Sequence, residues 1–325
     1  MMKNIRRAAA VFFAALVPLL AAAQSAPWPS KPVKILVGAS PGGGTDIIAR
    51  MLADKYQAAF GQPFVVENRP GAANTIASDV TAKSPPDGYT LLVGTNTAQA
   101  IAPHIMKLGF DPLKDLAPIA LIVVVPNVVA VAPTIPASNI RELVALIKAK
   151  PGEFSCGSSG IGSTQHLACE AFALATATKI VHVPYKGSAQ ALTDLVGGQI
   201  HLDFDTTSSA MSFIKSGKVK ALAVMTPKRS SELPDVPTLA EAGIPNVEMS
   251  TWYGLFTTAG TPRDIVARLH AETTKILAMP DVRRKLEGLA GEPGAMTADQ
   301  FAAMAKTDYE RSGKLVRDAN IKGDQ

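Results

Sequence analysis

Two glycine-rich turns carry the residues best suited to chemistry in this chain. They are Ser40-Pro41-Gly42-Gly43-Gly44-Thr45-Asp46 and Ser158-Ser159-Gly160-Ile161-Gly162-Ser163-Thr164. Each follows a strand-like apolar run, Val33 to Val37 and Phe154 to Cys156. Each opens an amphipathic helix, predicted over 45–59 and 163–175. A helix start offers backbone N–H groups without intrahelical acceptors and the positive end of the helix dipole, an arrangement that holds anions. Glycine lets the backbone approach a ligand and adopt positive φ. Two such turns, far apart in sequence, suggest one anion gripped from two sides. No Lys or Arg occurs over 38–49 or 155–168, so the donors would be neutral N–H and O–H groups. A carboxylate suits such a site better than a polyphosphate. Four to six hydrogen bonds to a charged group, at about 1.5–3 kcal/mol each, could outweigh its desolvation and leave about −8 kcal/mol, near micromolar binding.

Other reactive side chains fit recognised chemistry less well. The first turn lacks the lysine of a P-loop, and Ile47 and Gln165 occupy the third glycine positions that dinucleotide fingerprints would need. Ile161 stands where a nucleophile elbow requires glycine. The histidines at 104, 166, 182, 201 and 270 show no ligand spacing, so neither a metal nor a cofactor is expected. A secreted hydrolase using Ser159 or Ser163 with His166 is the enzymatic alternative, and it lacks an acid partner. His166, three residues after Ser163, either lines a cleft or supports the turn. Asp46 suits the first-turn dipole and sits four residues before Arg50, which favours a structural role over ligand contact. Asp205 ends an apolar strand, where a buried charge needs a purpose. It either meets a ligand amine or hydroxyl or organises the Thr206-Thr207-Ser208 turn, and the second reading is preferred.

The elements that must position these turns alternate between strand and helix, the pattern of an α/β protein with mainly parallel sheets. Stretches near Val124–Pro126 and Ser250–Tyr253 read as two crossings between lobes, which would open and close as a clamp. Asn139 with Glu142, and Thr297 with Gln300, form capping boxes. Lys3, Arg6 and Arg7 precede an apolar run over 8–23 that ends in Ala21-Ala22-Ala23, as in a secretory signal peptide cleaved after Ala23. Those three cations account for three of the five units of excess positive charge. The remainder is too weak and scattered for a nucleic-acid footprint. Cys156 and Cys169 would meet an oxidising compartment after export. Cys169 should lie about 9 Å down its helix, beyond the roughly 7 Å that a disulfide spans between Cα atoms. A bridge is therefore open but geometrically disfavoured.

Several short motifs recur in one order: Trp28-Pro29-Ser30-Lys31-Pro32, the turn at 41–46 with Arg50, Glu67-Asn68-Arg69-Pro70-Gly71-Ala72 and Asp87-Gly88-Tyr89-Thr90. They continue with Ser158-Ser159-Gly160, Gly162, His166-Leu167, Val183-Pro184-Tyr185-Lys186-Gly187, Leu233-Pro234-Asp235-Val236-Pro237-Thr238, Glu241-Ala242-Gly243 and Trp252-Tyr253-Gly254. In this order the chain resembles the substrate-binding proteins of tripartite tricarboxylate transporters, the Bug family, over essentially all of its mature length. The resemblance implies a two-lobed periplasmic clamp of the type II binding-protein kind. One domain would span 24–125 and 251–325, the other 126–250. It further implies a monomer that captures a small organic acid and passes it to integral-membrane transporter subunits. A sensory receptor feeding a signalling partner would use the same clamp. By the same analogy Asn96, Thr97, Tyr185, Lys186 and Asp205 would face the cleft. The chain departs from the family pattern at Gly71-Ala72-Ala73-Asn74-Thr75, where further glycines are common, and at Cys169, where a glycine is common.

Overall fold

The computed structural model describes residues 28–318; the leader expected over 1–23 lies outside them. The chain starts with β1 (Val33–Val37), α1 (Gly44–Phe60), β2 (Phe64–Asn68), α2 (Thr75–Ala82), β3 (Thr90–Thr95) and β4 (Leu116–Pro126). It crosses at Asn127 into β5 (Val128–Val131), α3 (Ile140–Ala149), β6 (Ser155–Ser158), α4 (Thr164–Thr176) and β7 (Val181–Pro184). There follow α5 (Ser188–Val196), β8 (Leu202–Asp203), α6 (Thr207–Lys215) and β9 (Lys220–Val224). It returns through β10 (Ser250–Thr258), α7 (Arg263–Ala278), α8 (Pro280–Glu287), β11 (Glu292–Pro293) and α9 (Ala298–Asp318).

Two sheets result, ordered β11-β4-β10-β3-β1-β2 and β7-β6-β8-β5-β9. The strands that feed the glycine turns lie inside parallel groups: β1 between β2 and β3, and β6 between β7 and β8. The sheets are nevertheless mixed rather than mainly parallel, because β10 is antiparallel to β3 and β5 is antiparallel to β8. A strand that enters a sheet from the side facing the other sheet must oppose the strands that end there. The two crossings are tied to each other: Asn127 N–H donates to Met249 O at 3.1 Å, and Met225 N–H donates to Asn127 O at 2.8 Å. Both glycine turns consequently project from their sheets toward the same gap.

Apolar residues secure this frame. Ile35, Val37, Ile48, Leu52 and Tyr56 pack α1 onto one face of the first sheet, while Leu92, Trp252, Phe256 and Phe301 pack α9 onto the other. Val129, Val131, Leu143, Phe172, Leu195 and Leu202 belong to the core of the second sheet. Both capping boxes form. Asn139 Oδ1 accepts from Glu142 N–H at 3.0 Å and Thr297 Oγ1 from Gln300 N–H at 3.2 Å, while Glu142 Oε2 accepts in return from Ser138 N–H and Gln300 Oε1 from Thr297 N–H. Residues 207–208, read from sequence as a turn, are instead the first turn of α6.

Cys156 and Cys169 are joined in a disulfide with Cα atoms 6.7 Å apart, against the geometric expectation. The turn at 159–163 folds α4 back over β6. Distance gained along the helix therefore retraces the strand, and Cys169 comes level with Cys156.

The loop before α2 is strained. Ala72, Ala73 and Asn74 have φ of 45°, 52° and 68°, a left-handed run that side chains with a Cβ disfavour by about 1–2 kcal/mol per residue. Ala72 is exposed, so its methyl contributes no core packing. Replacing Ala72 with Gly should stabilise the protein by about 0.5–1 kcal/mol, read as a higher midpoint in urea unfolding. A lower midpoint would show that the loop is not under this strain.

Candidate functional site

The gap between the sheets closes on a cavity walled from both sides. Ala39, Gly44, Thr45, Asn74, Thr95 and Thr97 come from the first half of the chain. Ser159, Thr164, Gln165, Ser188, Thr206 and Ser209 face them from the second, and Thr251 and Tyr253 rise from the returning strand β10. No lining side chain is charged. The space between the walls has room for about one water, so a metabolite can enter only if the walls separate.

The walls touch through helix starts. Gly44 N–H, at the first residue of α1, donates to Ser209 Oγ at 2.9 Å, and Thr164 N–H, at the first residue of α4, donates to Thr97 Oγ1 at 3.2 Å. Thr164 Oγ1 also lies 2.9 Å from Thr251 Oγ1. Gly44 is required sterically: a Cβ there would overlap the Ser208 hydroxyl and lie 2.8 Å from Tyr253 Oη. Gly43 is not, because its Cβ direction points back at Ser40 O.

The expected site residues divide into two groups. Gly44, Thr45, Thr97, Ser159 and Thr164 line the cavity. The others support it or face elsewhere. The N–H of Gly42 donates to Asp46 Oδ2 and that of Gly43 to Ser40 O, while Pro41 carries no N–H. Gly160 N–H donates to Ser158 Oγ, and Gly162 N–H donates to His166 Nδ1. These turn amides are therefore consumed within the turns, which corrects the view that the glycines themselves present the donors. The donors left toward the cavity are the first-turn amides of Thr45 in α1 and Gln165 in α4, with no acceptor among the described residues.

Ser163 caps α4 by accepting from His166 N–H at 3.2 Å. His166 stacks on His182 with ring centroids 4.0 Å apart, so it braces the turn rather than lining the cavity. Burial, with His166 alongside, pushes the His182 pKa down to about 3. Ser158 Oγ lies 2.6 Å from His182 Nε2 and completes this brace. Asp46 is buried and holds Arg50, Asn68 and Gly42 N–H. Burial alone would raise its pKa, but Arg50, the Gly42 amide and Asn68 bring it below the usual value. Tyr185 Oη donates to Asp194 Oδ2 at 2.7 Å, and Lys186 is exposed; neither reaches the cavity. Asn96 Nδ2 donates to Ser250 O at 3.0 Å and does not line the cavity.

Asp205 is fully buried beneath the cavity. Its Oδ1 accepts from Thr206 N–H at 2.7 Å, Ser188 Oγ at 2.9 Å and Gln165 Nε2 at 3.0 Å. It therefore organises the 206 turn, as preferred from sequence. Neighbouring Asp203 is equally buried, and neither of its oxygens has a hydrogen-bond partner. Burial, reinforced by Asp205, holds its carboxyl well above the ordinary range. Sequence reasoning missed Gln165, Ser188, Ser209 and Thr251. Small polar residues on helix starts and an internal strand carry no motif, although Ser188 and Gln165 stand at helix N-termini where capping logic could have flagged them.

Comparison with known proteins follows this geometry. The profile of the TctC family, the tripartite tricarboxylate transporter family receptor, matches residues 48–321. The chain belongs to that family. BugT of Bordetella pertussis is 34% identical over 98% of this chain and 99% of its own. Two solved structures superpose closely. Rpa4515 of R. palustris with adipate has a TM-score of 0.88 at 34% identity, covering 91% of this chain and 99% of that one. MatC from Rhodopseudomonas palustris with bound malate has a TM-score of 0.85 at 30% identity, covering 89% and 100%. The fold of this TctC-family chain is thus the two-lobed α/β fold of periplasmic solute-binding proteins, with two crossings between lobes.

Two outcomes test this geometry. Gly44→Val should weaken ligand affinity by well over tenfold while unfolding stays cooperative, since the added side chain props the walls apart; unchanged affinity in calorimetry would mean that the walls need not meet. Because the folded pKa of Asp203 is raised, its contribution to stability is greatest in acid and is lost as pH rises above its unfolded value near 4. Urea unfolding should therefore show Asp203→Asn gaining stability relative to wild type as pH rises from about 4 to about 8. A constant difference would contradict the raised pKa.

Proposed function

We propose that this protein is an extracytoplasmic receptor that closes two lobes on a small organic carboxylate and delivers it to the membrane subunits of a tripartite tricarboxylate-type transporter. One lobe comprises 24–125 with 251–325, the other 126–250, and the protein acts as a monomer without cofactor. The observation that carries this reading is the meeting of the α1 and α4 N-termini across one uncharged cavity, through Gly44 to Ser209 and Thr164 to Thr97. Helix starts favour negative charge, and a cavity lined by hydroxyls and amides can surround a carboxylate without a fixed cation. The adipate and malate named for the two related structures are ligands of this class. Periplasmic residence is supported by the family and by the Cys156–Cys169 bridge, which persists in an oxidising compartment.

Catalysis finds no support in the same geometry. Ser159 Oγ donates to Gln165 Oε1, and Ser163 Oγ accepts from a backbone amide. Both candidate nucleophiles are engaged in structural bonds. Titration calorimetry of the mature protein against mono-, di- and tricarboxylates should find at least one ligand with Kd near micromolar, about −8 kcal/mol. Heat from none of them would overturn the reading.

A further inference from the structure

Asp205 fixes which way the hydrogen bonds beneath the cavity point. Its Oδ1 can only accept from the Gln165 amide, so Gln165 is locked with Nε2 toward Asp205 at 3.0 Å. Gln165 Oε1 is thereby turned toward Ser159, whose hydroxyl donates to it at 3.0 Å. Ser188 donates its hydrogen to Asp205 at 2.9 Å while accepting from Gln165 Nε2 at 3.0 Å. A serine hydroxyl has one hydrogen, and both of these are committed inward. Ser159 and Ser188 consequently turn lone pairs toward the cavity they line.

The opposite wall carries hydroxyls whose hydrogens are not committed. Thr97 Oγ1 accepts the Thr164 amide, which leaves its hydrogen available. Thr95 Oγ1 is buried with no protein partner, on a residue only 3% exposed. The first-turn amide of Thr45 points from the positive end of α1. With the Gln165 backbone amide at the start of α4, donors converge at the two helix starts, while the committed acceptors sit at Ser159 and Ser188.

We infer that the cleft selects carboxylates bearing a second group that donates a hydrogen bond, a hydroxyl or an ammonium. The carboxylate would lie between the Thr45 and Gln165 backbone amides beside Thr95 and Thr97, and the donor against Ser159 and Ser188. This inference rests on the carboxylate-receptor reading and adds a polarity to it. An acid lacking the donor leaves buried acceptors unpaired, and sites built to bond a ligand hydroxyl discriminate strongly against analogues without one.

Calorimetry on matched acids tests the inference: succinate against malate and aspartate, and adipate against 3-hydroxyadipate and 2-aminoadipate. At whichever chain length binds, a hydroxy or amino acid should bind at least about tenfold more tightly than its unsubstituted partner. Ser159→Ala and Asp205→Ala should each bring that ratio toward one, the second by releasing Gln165. If Asp205→Ala does not fold, Ser159→Ala decides the matter. Unsubstituted acids binding as tightly as their partners, or a ratio unmoved by Ser159→Ala, would overturn the polarity while leaving the carboxylate reading intact. Binding by no acid in the panel would overturn both.

Discussion

The first turn of an α-helix contains N–H groups that the helix cannot satisfy, and they carry the positive end of its dipole. In this protein two such starts, those of α1 and α4, are delivered by parallel strands to opposite sides of one gap. Everything else in the architecture serves to bring them together. The crossings through Asn127 and Met249 hold the two sheets in register, and Gly44 removes the side chain that would keep the walls apart. Glycine matters at this position for approach rather than for donor count.

The turns themselves are self-sufficient. Asp46 holds Gly42, and His166, backed by His182 and Ser158, holds Gly162. Charge and ring stacking are thus used to make rigid supports, while the cavity stays neutral. The two buried carboxyls lie behind it: Asp205 polarises Gln165 and Ser188, and burial holds the Asp203 carboxyl beside it well above the ordinary range. A network with every hydrogen committed in one direction is a more specific surface than the same hydroxyls free to rotate. This is how a site without a charged wall can have a preferred ligand orientation.

Much of the frame was legible in the sequence. The Val33–Val37 strand and both capping boxes follow from the apolar run and the cap residues, which act locally. The glycine turns were identified as the centre of the site for a sound reason, yet their amides were given the wrong task. Which N–H is left over depends on whether Asp46 and His166 curl back onto their turns, and spacing alone does not decide that. Asn96 and Thr97 are sequence neighbours, yet Thr97 lines the cavity while Asn96 bonds the Ser250 carbonyl outside it. The Cys156–Cys169 bridge was disfavoured because the direction of α4 relative to β6 is a tertiary fact. Likewise Ser188 and Ser209 reach the cavity only through the folding of the second lobe, and Thr251 only through the return of β10 into the first sheet.

Amide chemical shifts report most directly on whether helix-start N–H groups hold the ligand. Isotope-labelled protein would be titrated with the carboxylate that binds best in calorimetry, following Thr45, Gln165 and the turn glycines Gly42 and Gly162. Large downfield shifts at Thr45 and Gln165, with Gly42 and Gly162 little changed, are the expected result. Saturable binding that leaves Thr45 and Gln165 unmoved would place the ligand somewhere other than between these two helices.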